Sequence, residues 1–167
     1  LPTIDYSLHK KLHPIAVGLA AGPGAATGRV VFCPDEAEQQ YKKGHNVILV
    51  REETSPEDIH GMFAARAILT SRGGITSHAA LVARGWGKCC VVGCKEVEIN
   101  YQKEYFKTKK LIVRKNDWIT LNGSNGHVYN QKIKLIQPKI KKNKLFNKLL
   151  DISQSISQLK VRTNADN

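Results

Sequence analysis

The stretch NVILVREETSPEDIHGMFAARAILTSRGGITSHAALVARGWGKCCVVG, residues 46–93, decides the fold of this chain. Three short apolar runs in it are rich in β-branched residues and predict buried strands, and the two segments between them carry helix-forming patterns. The runs are 46–50, 67–70 and 88–93, and the intervening segments are 54–65 and 77–87. This alternation predicts a βαβαβ core with parallel strands.

The segment 54–65 has the residues expected at the start of a helix, with Thr54 or Ser55 as the cap before Pro56. Its buried face is predicted from the helical spacing of three apolar residues, Ile59, Met62 and Phe63.

The segment 77–87 is predicted to be a second short helix, capped by Thr76 or Ser77. Gly85 is predicted to end it, because glycine accepts the backbone conformation that follows a helix. Its inward side chains are predicted to be Leu81 and Val82.

The flanking sequence adds strands outside the parallel core. The run GRVVF at 28–32 predicts a strand, and 35–44 predicts a surface helix that ends at a glycine. The alternating segment 109–130, with NGSNG as a turn, predicts β-hairpins. A strand-rich layer beside a βαβ layer predicts an α/β fold, a three-layer β/β/α sandwich. Apolar spacing after Pro138 predicts one amphipathic linker helix.

Charge is concentrated at one end of the 167-residue chain. Its net charge is +12, of which residues 1–130 carry +5 and residues 131–167 carry +7. A basic tail can bind nucleic acid or can be a solvated linker. Phe146 is the one aromatic residue of that tail, so base stacking has little to use and the linker is favoured. The sequence contains no apolar run of about 18 residues, so no membrane span is predicted.

The four cysteines do not have the paired spacing of a zinc site. Cys89 and Cys90 would face opposite sides of a strand, which argues against a bridge between them. We therefore expect reduced thiols that act as small apolar side chains in a cytoplasmic protein.

The sequence RGGITSHAA, residues 72–80, places a histidine between a glycine turn and the first turn of a helix. Free N–H groups at a helix start favour an anion, and Gly73 and Gly74 permit a close backbone approach. A neutral imidazole of His78 at this place can attack a phosphoryl group. Four residues are predicted to bind the phosphate, Gly73, Gly74, Thr76 and Ser77, with added charge from Arg72 and Arg84. The alternative is that His78 only bonds to a neighbouring carbonyl.

This stretch resembles the central phosphohistidine domain of the PEP-utilising enzyme family, in the version found in pyruvate phosphate dikinases. The similarity covers about residues 13–136, and the GWGKCCV at 85–91 is the dikinase variant. Four segments carry it in the family's order: AAGPGAATGRVVF (20–32), REETSPEDIHGM (51–62), LTSRGGITSHAALVARGWGKCCVVGC (69–94) and ITLNGSNGHVY (119–129).

The resemblance implies a swivelling carrier, with His78 as the catalytic residue that is transiently phosphorylated. Attack on ATP would give a pyrophosphoryl-enzyme and AMP, transfer to phosphate would release pyrophosphate, and pyruvate would receive the remaining phosphoryl group to give phosphoenolpyruvate. The implied domains are an N-terminal linker (1–12), the mobile domain (13–136), and a linker helix with the start of the C-terminal barrel (137–167). This fragment would be inactive alone.

The resemblance also implies partners that lie elsewhere in the same chain, namely an ATP-binding domain and a pyruvate/PEP-binding barrel, in a full-length homodimer. Mg²⁺ would be bound by those domains, and no metal site is expected in this segment. Thr76 matches a threonine that is a regulatory phosphorylation site in plant members. Three other readings stay open: the same carrier in a phosphoenolpyruvate synthase-like enzyme, a basic nucleic-acid-binding module, and a non-catalytic remnant.

Overall fold

The computed structural model describes residues 1–8 and 11–137. In chain order the elements of this part are β1 Thr3–Ile4, β2 Ala16–Val17, β3 Leu19–Gly22, β4 Ala25–Val31, α1 Pro34–Lys42, β5 Val47–Arg51, a 3₁₀ turn Pro56–Asp58, α2 Ile59–Ala64, β6 Ala67–Thr70, α3 His78–Trp86, β7 Cys89–Val92, β8 Glu98–Asn100, β9 Tyr105–Lys107, β10 Ile112–Arg114, β11 Trp118–Asn122, β12 His127–Tyr129 and β13 Leu135–Ile136.

The parallel core predicted from residues 46–93 is confirmed. An eight-stranded sheet has the order β2-β12-β11-β4-β5-β6-β7-β3, and β4 to β7 run parallel to one another. The outer strands are antiparallel, including the hairpin predicted around NGSNG, which joins β11 to β12. Arg51 lies opposite Thr70, so the carboxyl ends of β5 and β6 are side by side. The mixed α/β class is therefore confirmed.

The two faces of the large sheet contribute to different core clusters. Side chains of successive strand residues point to opposite faces, so Cys89 belongs to one cluster and Cys90 to the other. The three helices pack on the second cluster through small or flexible side chains, which allow a close approach to the sheet. These are Ala37 of α1, Met62 of α2, and Ala79, Ala80 and Ala83 of α3.

A second sheet of three strands, in the order β10-β9-β8, contributes to the other cluster. Phe106 of β9 and Val113 of β10 are buried there beside Ile48 and Val50 of β5. Phe106 also meets Phe32 edge to face, with the ring centroids 6.4 Å apart. The lysine-rich segment 100–117 therefore supplies apolar residues to the core.

The start of the chain packs on the rest of the described structure. Strand β1 pairs antiparallel with β13, where Thr3 lies opposite Ile136. Ile4 is buried in a third cluster with Tyr129 and Ile133.

The predicted inward face of α2 is wrong for two of its three residues. Met62 is buried, but Ile59 and Phe63 are exposed. Phe63 packs edge to face on Trp86, at a centroid distance of 5.4 Å, instead of on the sheet. The Lys88 ammonium lies 5.7 Å from the Phe63 ring centroid. The buried positions of this helix are Gly61, Met62 and Ala64, so the side that Ile59 and Phe63 occupy is turned away from the sheet.

The predictions for α3 also need two corrections. Leu81 is exposed, because the alanines of this helix occupy the face that contacts the sheet, whereas Val82 is partly buried and packs against the second cluster as predicted. The helix continues through Gly85 and is ended by Gly87, which has the left-handed φ of 66°.

The amphipathic helix predicted after Pro138 lies outside the described residues. Among the helices that the structure describes, none has the length and apolar character needed to cross a membrane.

Candidate functional site

The residues singled out in 72–80 lie at the carboxyl end of β6, next to the carboxyl end of β5. Two loops follow these strands and lead into helices, residues 52–55 before the 3₁₀ turn and α2, and residues 71–77 before α3. The Arg72 N–H donates to the carbonyl of Glu52 over 3.0 Å, which joins the loops directly. A site assembled here therefore draws on both loops.

The backbone of the 71–77 loop is fixed by contacts with the end of β6 and with the residue that follows β7. The Thr70 hydroxyl donates to the Arg72 carbonyl at 2.7 Å, and the Gly93 N–H donates to the same oxygen at 3.3 Å. Gly73 has the left-handed φ of 91°, and a Cβ there would lie 3.0 Å from the Ser77 Cβ. Gly73 is therefore required by the turn itself, as predicted from the glycine pair.

Gly74 differs from Gly73, although the two are adjacent. Its φ is not in the left-handed region, and a Cβ added to it would meet nothing within 4 Å. No contact in the described structure requires a glycine here, so the open space beside Gly74 is available to a group from outside.

Ser77 is the N-cap of α3. Its Oγ accepts from the Ala80 N–H at 3.4 Å, and its carbonyl accepts from the Leu81 N–H at 3.0 Å. The first turn contains no acidic side chain. The N–H groups of His78 and Ala79 have no acceptor among the described residues. The helix dipole and these two free donors make this end of α3 favourable for an anion.

His78 is the first residue of α3 and is partly exposed. Its Nδ1 lies 2.9 Å from the Thr54 Oγ1, which comes from the neighbouring loop. Within the described part of the chain, Nε2 makes no hydrogen bond. If Nδ1 carries the proton, it donates to Thr54, and Nε2 then presents a lone pair to an incoming group.

The other predicted residues lie at the rim of this site. Thr76 is exposed, which leaves its hydroxyl accessible. Arg84 donates to the carbonyl of Ile75, and the Arg72 guanidinium lies 3.8 Å from the Glu52 carboxylate. Both guanidinium groups therefore already have partners in this structure, and neither donates a hydrogen bond to His78.

The sequence predicted Thr54 only as a possible helix cap and did not predict its contact with His78. Ser55 is the residue at the cap position of the 3₁₀ turn instead. The available signal was topological, since side chains that follow adjacent parallel strands meet at the same sheet edge.

Among the described residues, His60 has a local partner and three of the thiols are buried. His60 Nε2 lies 2.6 Å from an Asp35 carboxylate oxygen. Burial raises the pKa of three thiols to about 12, those of Cys89, Cys90 and Cys94, so they stay protonated. No group of three or more metal-ligating side chains occurs among the residues that the structure describes.

Comparisons with known proteins agree with the geometry. The model of the family described as "PEP-utilising enzyme, mobile domain" matches residues 43–126. The chain is 47% identical over 156 residues to the chloroplastic pyruvate, phosphate dikinase of Flaveria pringlei, covering 93% of this chain and 16% of that protein. It is 48% identical over 165 residues to the pyruvate, phosphate dikinase of Rhizobium meliloti, covering 99% of this chain and 18% of the relative.

The same comparison gives 50% identity over 163 residues with the Rickettsia typhi pyruvate, phosphate dikinase, covering 98% of this chain and 18% of that protein. The chain thus spans less than a fifth of the length of these relatives. The family model covers half of the chain and includes both loops of the site. This chain belongs to the family of PEP-utilising enzyme mobile domains.

Proposed function

We propose that this chain is the central phosphoryl-carrier domain of a pyruvate phosphate dikinase, with His78 as the residue that carries the group. One observation supports this most directly: Nδ1 of His78 is bonded to Thr54, while Nε2 has no partner among the described residues and lies at the start of a helix whose first turn has no acidic residue. The relatives named as dikinases support the choice of enzyme.

The proposed reaction begins with attack by the Nε2 lone pair on the β-phosphorus of ATP. An N–P bond forms, the bond from phosphorus to the AMP oxygen breaks, and AMP leaves. Phosphate then takes the terminal phosphoryl group and departs as pyrophosphate. The phosphoryl group left on His78 passes to the enolate oxygen of pyruvate, which gives phosphoenolpyruvate and restores the imidazole.

Within this chain, the residues around His78 orient the ring and stabilise the transferred group. Thr54 Oγ1 accepts from Nδ1–H and so keeps the lone pair on Nε2. The His78 and Ala79 amides and the hydroxyls of Thr76 and Ser77 are the proposed donors to the phosphoryl oxygens. Gly73 shapes the turn, and Gly74 leaves space for the donor molecule to approach.

The proposed architecture is a three-layer β/β/α domain that swivels between two other domains. The helices on one face of the large sheet and the three-stranded sheet on the other support this layering. Residues 1–12 and 137–167 are the proposed connections to the ATP-binding domain and the pyruvate/PEP-binding barrel. On this proposal the chain is inactive alone, and the complete enzyme is a cytoplasmic homodimer.

Mg²⁺ is proposed to act in the other domains, where it would neutralise charge on the phosphates of the substrates. The donors gathered at His78 are a hydroxyl and backbone amides, which suit an anion and do not suit a hard cation. No step at His78 is therefore assigned to the metal.

Thr76 is proposed as a regulatory phosphorylation site. It is exposed and lies two residues before His78. A dianionic phosphate at Thr76 would repel an incoming phosphoryl group and would compete for the same amides.

The experiment is to incubate the intact protein with ³²P-phosphoenolpyruvate and to map the modified residue. An acid-labile, base-stable label on the peptide that contains residue 78 is expected. A label on another residue, or no label at all, would contradict the proposal. A requirement for phosphate, with release of pyrophosphate, distinguishes a dikinase from the synthase-like alternative.

A further inference from the structure

Thr54 is held in place through the backbone of the loop before it. On one side, the Ser71 N–H donates to the Arg51 carbonyl at 3.2 Å, and the Arg72 N–H donates to the Glu52 carbonyl at 3.0 Å. These bonds continue the pairing of β5 with β6 beyond the end of the sheet. They fix the backbone carbonyl groups of Arg51 and Glu52, which lie on one edge of the loop.

The other edge of this loop is held by one side chain, Tyr101. The Glu52 N–H donates to the Tyr101 hydroxyl oxygen over 2.7 Å. Tyr101 follows β8 and lies in the lysine-rich segment 100–117. A residue 49 positions along the chain from Glu52 therefore holds the amide two residues before Thr54.

The Tyr101 ring is itself fixed by Arg51. The Arg51 guanidinium carbon lies 4.8 Å from the centroid of the ring, within the range of a cation–π contact. One terminal nitrogen of Arg51 donates to the Phe32 carbonyl at 2.9 Å. The Arg51 Nε is buried and has no hydrogen-bond partner among the described residues. Burying an unpaired donor costs free energy. The contacts of the guanidinium with the Phe32 carbonyl and the Tyr101 ring offset that cost and hold the group in place.

We propose that Tyr101 is a positioning residue for His78. It acts through a continuous path, from the Tyr101 hydroxyl to the Glu52 amide, along two residues of backbone to Thr54, and from Thr54 Oγ1 to His78 Nδ1. Releasing the amide lets the loop move and weakens the Thr54–His78 bond. The imidazole then populates the form with the proton on Nε2, which has no lone pair for attack. The effect on phosphorylation rests on the proposed function, but the effect on the tautomer does not.

The test compares the wild type with Tyr101→Phe and Tyr101→Leu. Phe keeps the ring under Arg51 and removes the hydroxyl, whereas Leu removes both. Two-dimensional ¹H–¹⁵N spectra of the imidazole nitrogens report the His78 tautomer in the chain itself. We expect the Nδ1–H signal of the wild type to shift toward the Nε2–H pattern in Tyr101→Phe, and further in Tyr101→Leu.

The rate of His78 phosphorylation by phosphoenolpyruvate in the intact protein is the second measurement. Tyr101→Phe is expected to lower it by about threefold to tenfold, the usual effect of losing one hydrogen bond. Tyr105→Phe is the matched control, because Tyr105 lies in β9 opposite Asn100, the residue before Tyr101, and does not bond to the 51–54 loop. It should leave both the tautomer and the rate unchanged.

The two measurements separate failure of this inference from failure of the proposed function. An unchanged tautomer in both Tyr101 variants would overturn the positioning role, whatever the rate. If the tautomer shifts while no variant, including the wild type, is phosphorylated, the positioning role stands and the carrier function is wrong.

Discussion

The helices that follow β5 and β6 begin in nearly the same way, yet their amino ends are suited to different tasks. Each follows a parallel strand, a short loop and a serine, Ser55 or Ser77. In the first, Asp58 turns back and accepts from the Ser55 N–H at 2.9 Å. That turn carries its own carboxylate, so it has less attraction for an outside anion. In the second, no acid is present, and the amino end stays open.

Each of the two helices also has a histidine in its first turn, and the partners differ. His60 Nε2 lies 2.6 Å from Asp35 and 4.0 Å from Glu38, so carboxylates surround it. His78 bonds through Nδ1 to the neutral hydroxyl of Thr54. A nucleophile needs a free lone pair and an anion-tolerant surrounding. The comparison therefore favours His78 over His60 as the proposed nucleophile, and it shows that a histidine at a helix start is not by itself evidence of catalysis.

The largest expected effect comes from exchanging the two histidines for glutamine. His78→Gln should lower phosphoryl transfer in the intact protein by at least about a thousandfold, because the nucleophile is lost. His60→Gln should leave the rate within about twofold, since only an exposed pair with Asp35 is removed. Rapid-quench measurement of acid-labile phosphate gives both rates, and circular dichroism checks the fold. Equal losses in the two variants would remove the distinction between the helices.

The next effect concerns the hydroxyl that distinguishes the two histidines. Thr54→Val keeps the shape of the side chain and removes the bond to His78 Nδ1, so phosphorylation should fall by about tenfold. Thr54→Ser keeps a hydroxyl on Cβ and should retain most of the phosphorylation rate. A rate in Thr54→Val equal to that of the wild type would mean that the contact does not orient the ring.

Substitutions at the two adjacent glycines distinguish the contribution of the 71–77 loop to stability from its contribution to ligand access. Gly73→Ala should lower the free energy of unfolding by about 1–2 kcal/mol, because its φ of 91° is unfavourable for any residue with a Cβ. Gly74→Ala should change it by less than about 0.5 kcal/mol. Urea titration measures both. If Gly74→Ala folds normally but transfers slowly, the added methyl group blocks the approaching donor.

The roles of these glycines depend on neighbouring residues in the sequence. The features of the site that could be predicted from the sequence are all local in this sense. The turn at Gly73, the cap at Ser77 and the place of His78 in the first turn each depend on residues within a few positions of one another. The order of strands and helices in 46–93 followed equally from local hydrophobic patterns.

Contacts between distant segments were not predictable in the same way. Thr54 and His78 are 24 positions apart, and Tyr101 and Glu52 are 49 apart, so their meeting depends on how the strands are placed side by side. Helix faces were also wrong at Phe63, because its partner, Trp86, comes from another helix. Helices of six and nine residues are too short for hydrophobic spacing to choose a face reliably.

The smallest expected effect concerns Lys88, which contacts the carboxyl ends of both α2 and α3. Its N–H donates to the Ala83 carbonyl of α3 at 2.8 Å, and its ammonium donates to the carbonyls of Phe63, at 2.7 Å, and Ala65. Burial, with a smaller contribution from Arg66, lowers the pKa of Lys88 from 10.5 to about 8.

This shift predicts a pH dependence that should be absent when Lys88 is replaced by methionine. Between about pH 8 and 10.5 the unfolded chain binds more protons at Lys88 than the folded chain, so this residue makes the free energy of unfolding rise with pH. The buried thiols act in the opposite direction above pH 9, because their pKa is raised, but they are common to both proteins. Urea titrations of wild type and Lys88→Met at pH 7.5, 8.5 and 9.5 should therefore show a stability difference that moves in favour of the wild type as the pH rises. A difference that stays constant over this range would mean that the ammonium is solvated in the folded chain and that its bonds to the carbonyls of Phe63 and Ala65 do not bury it.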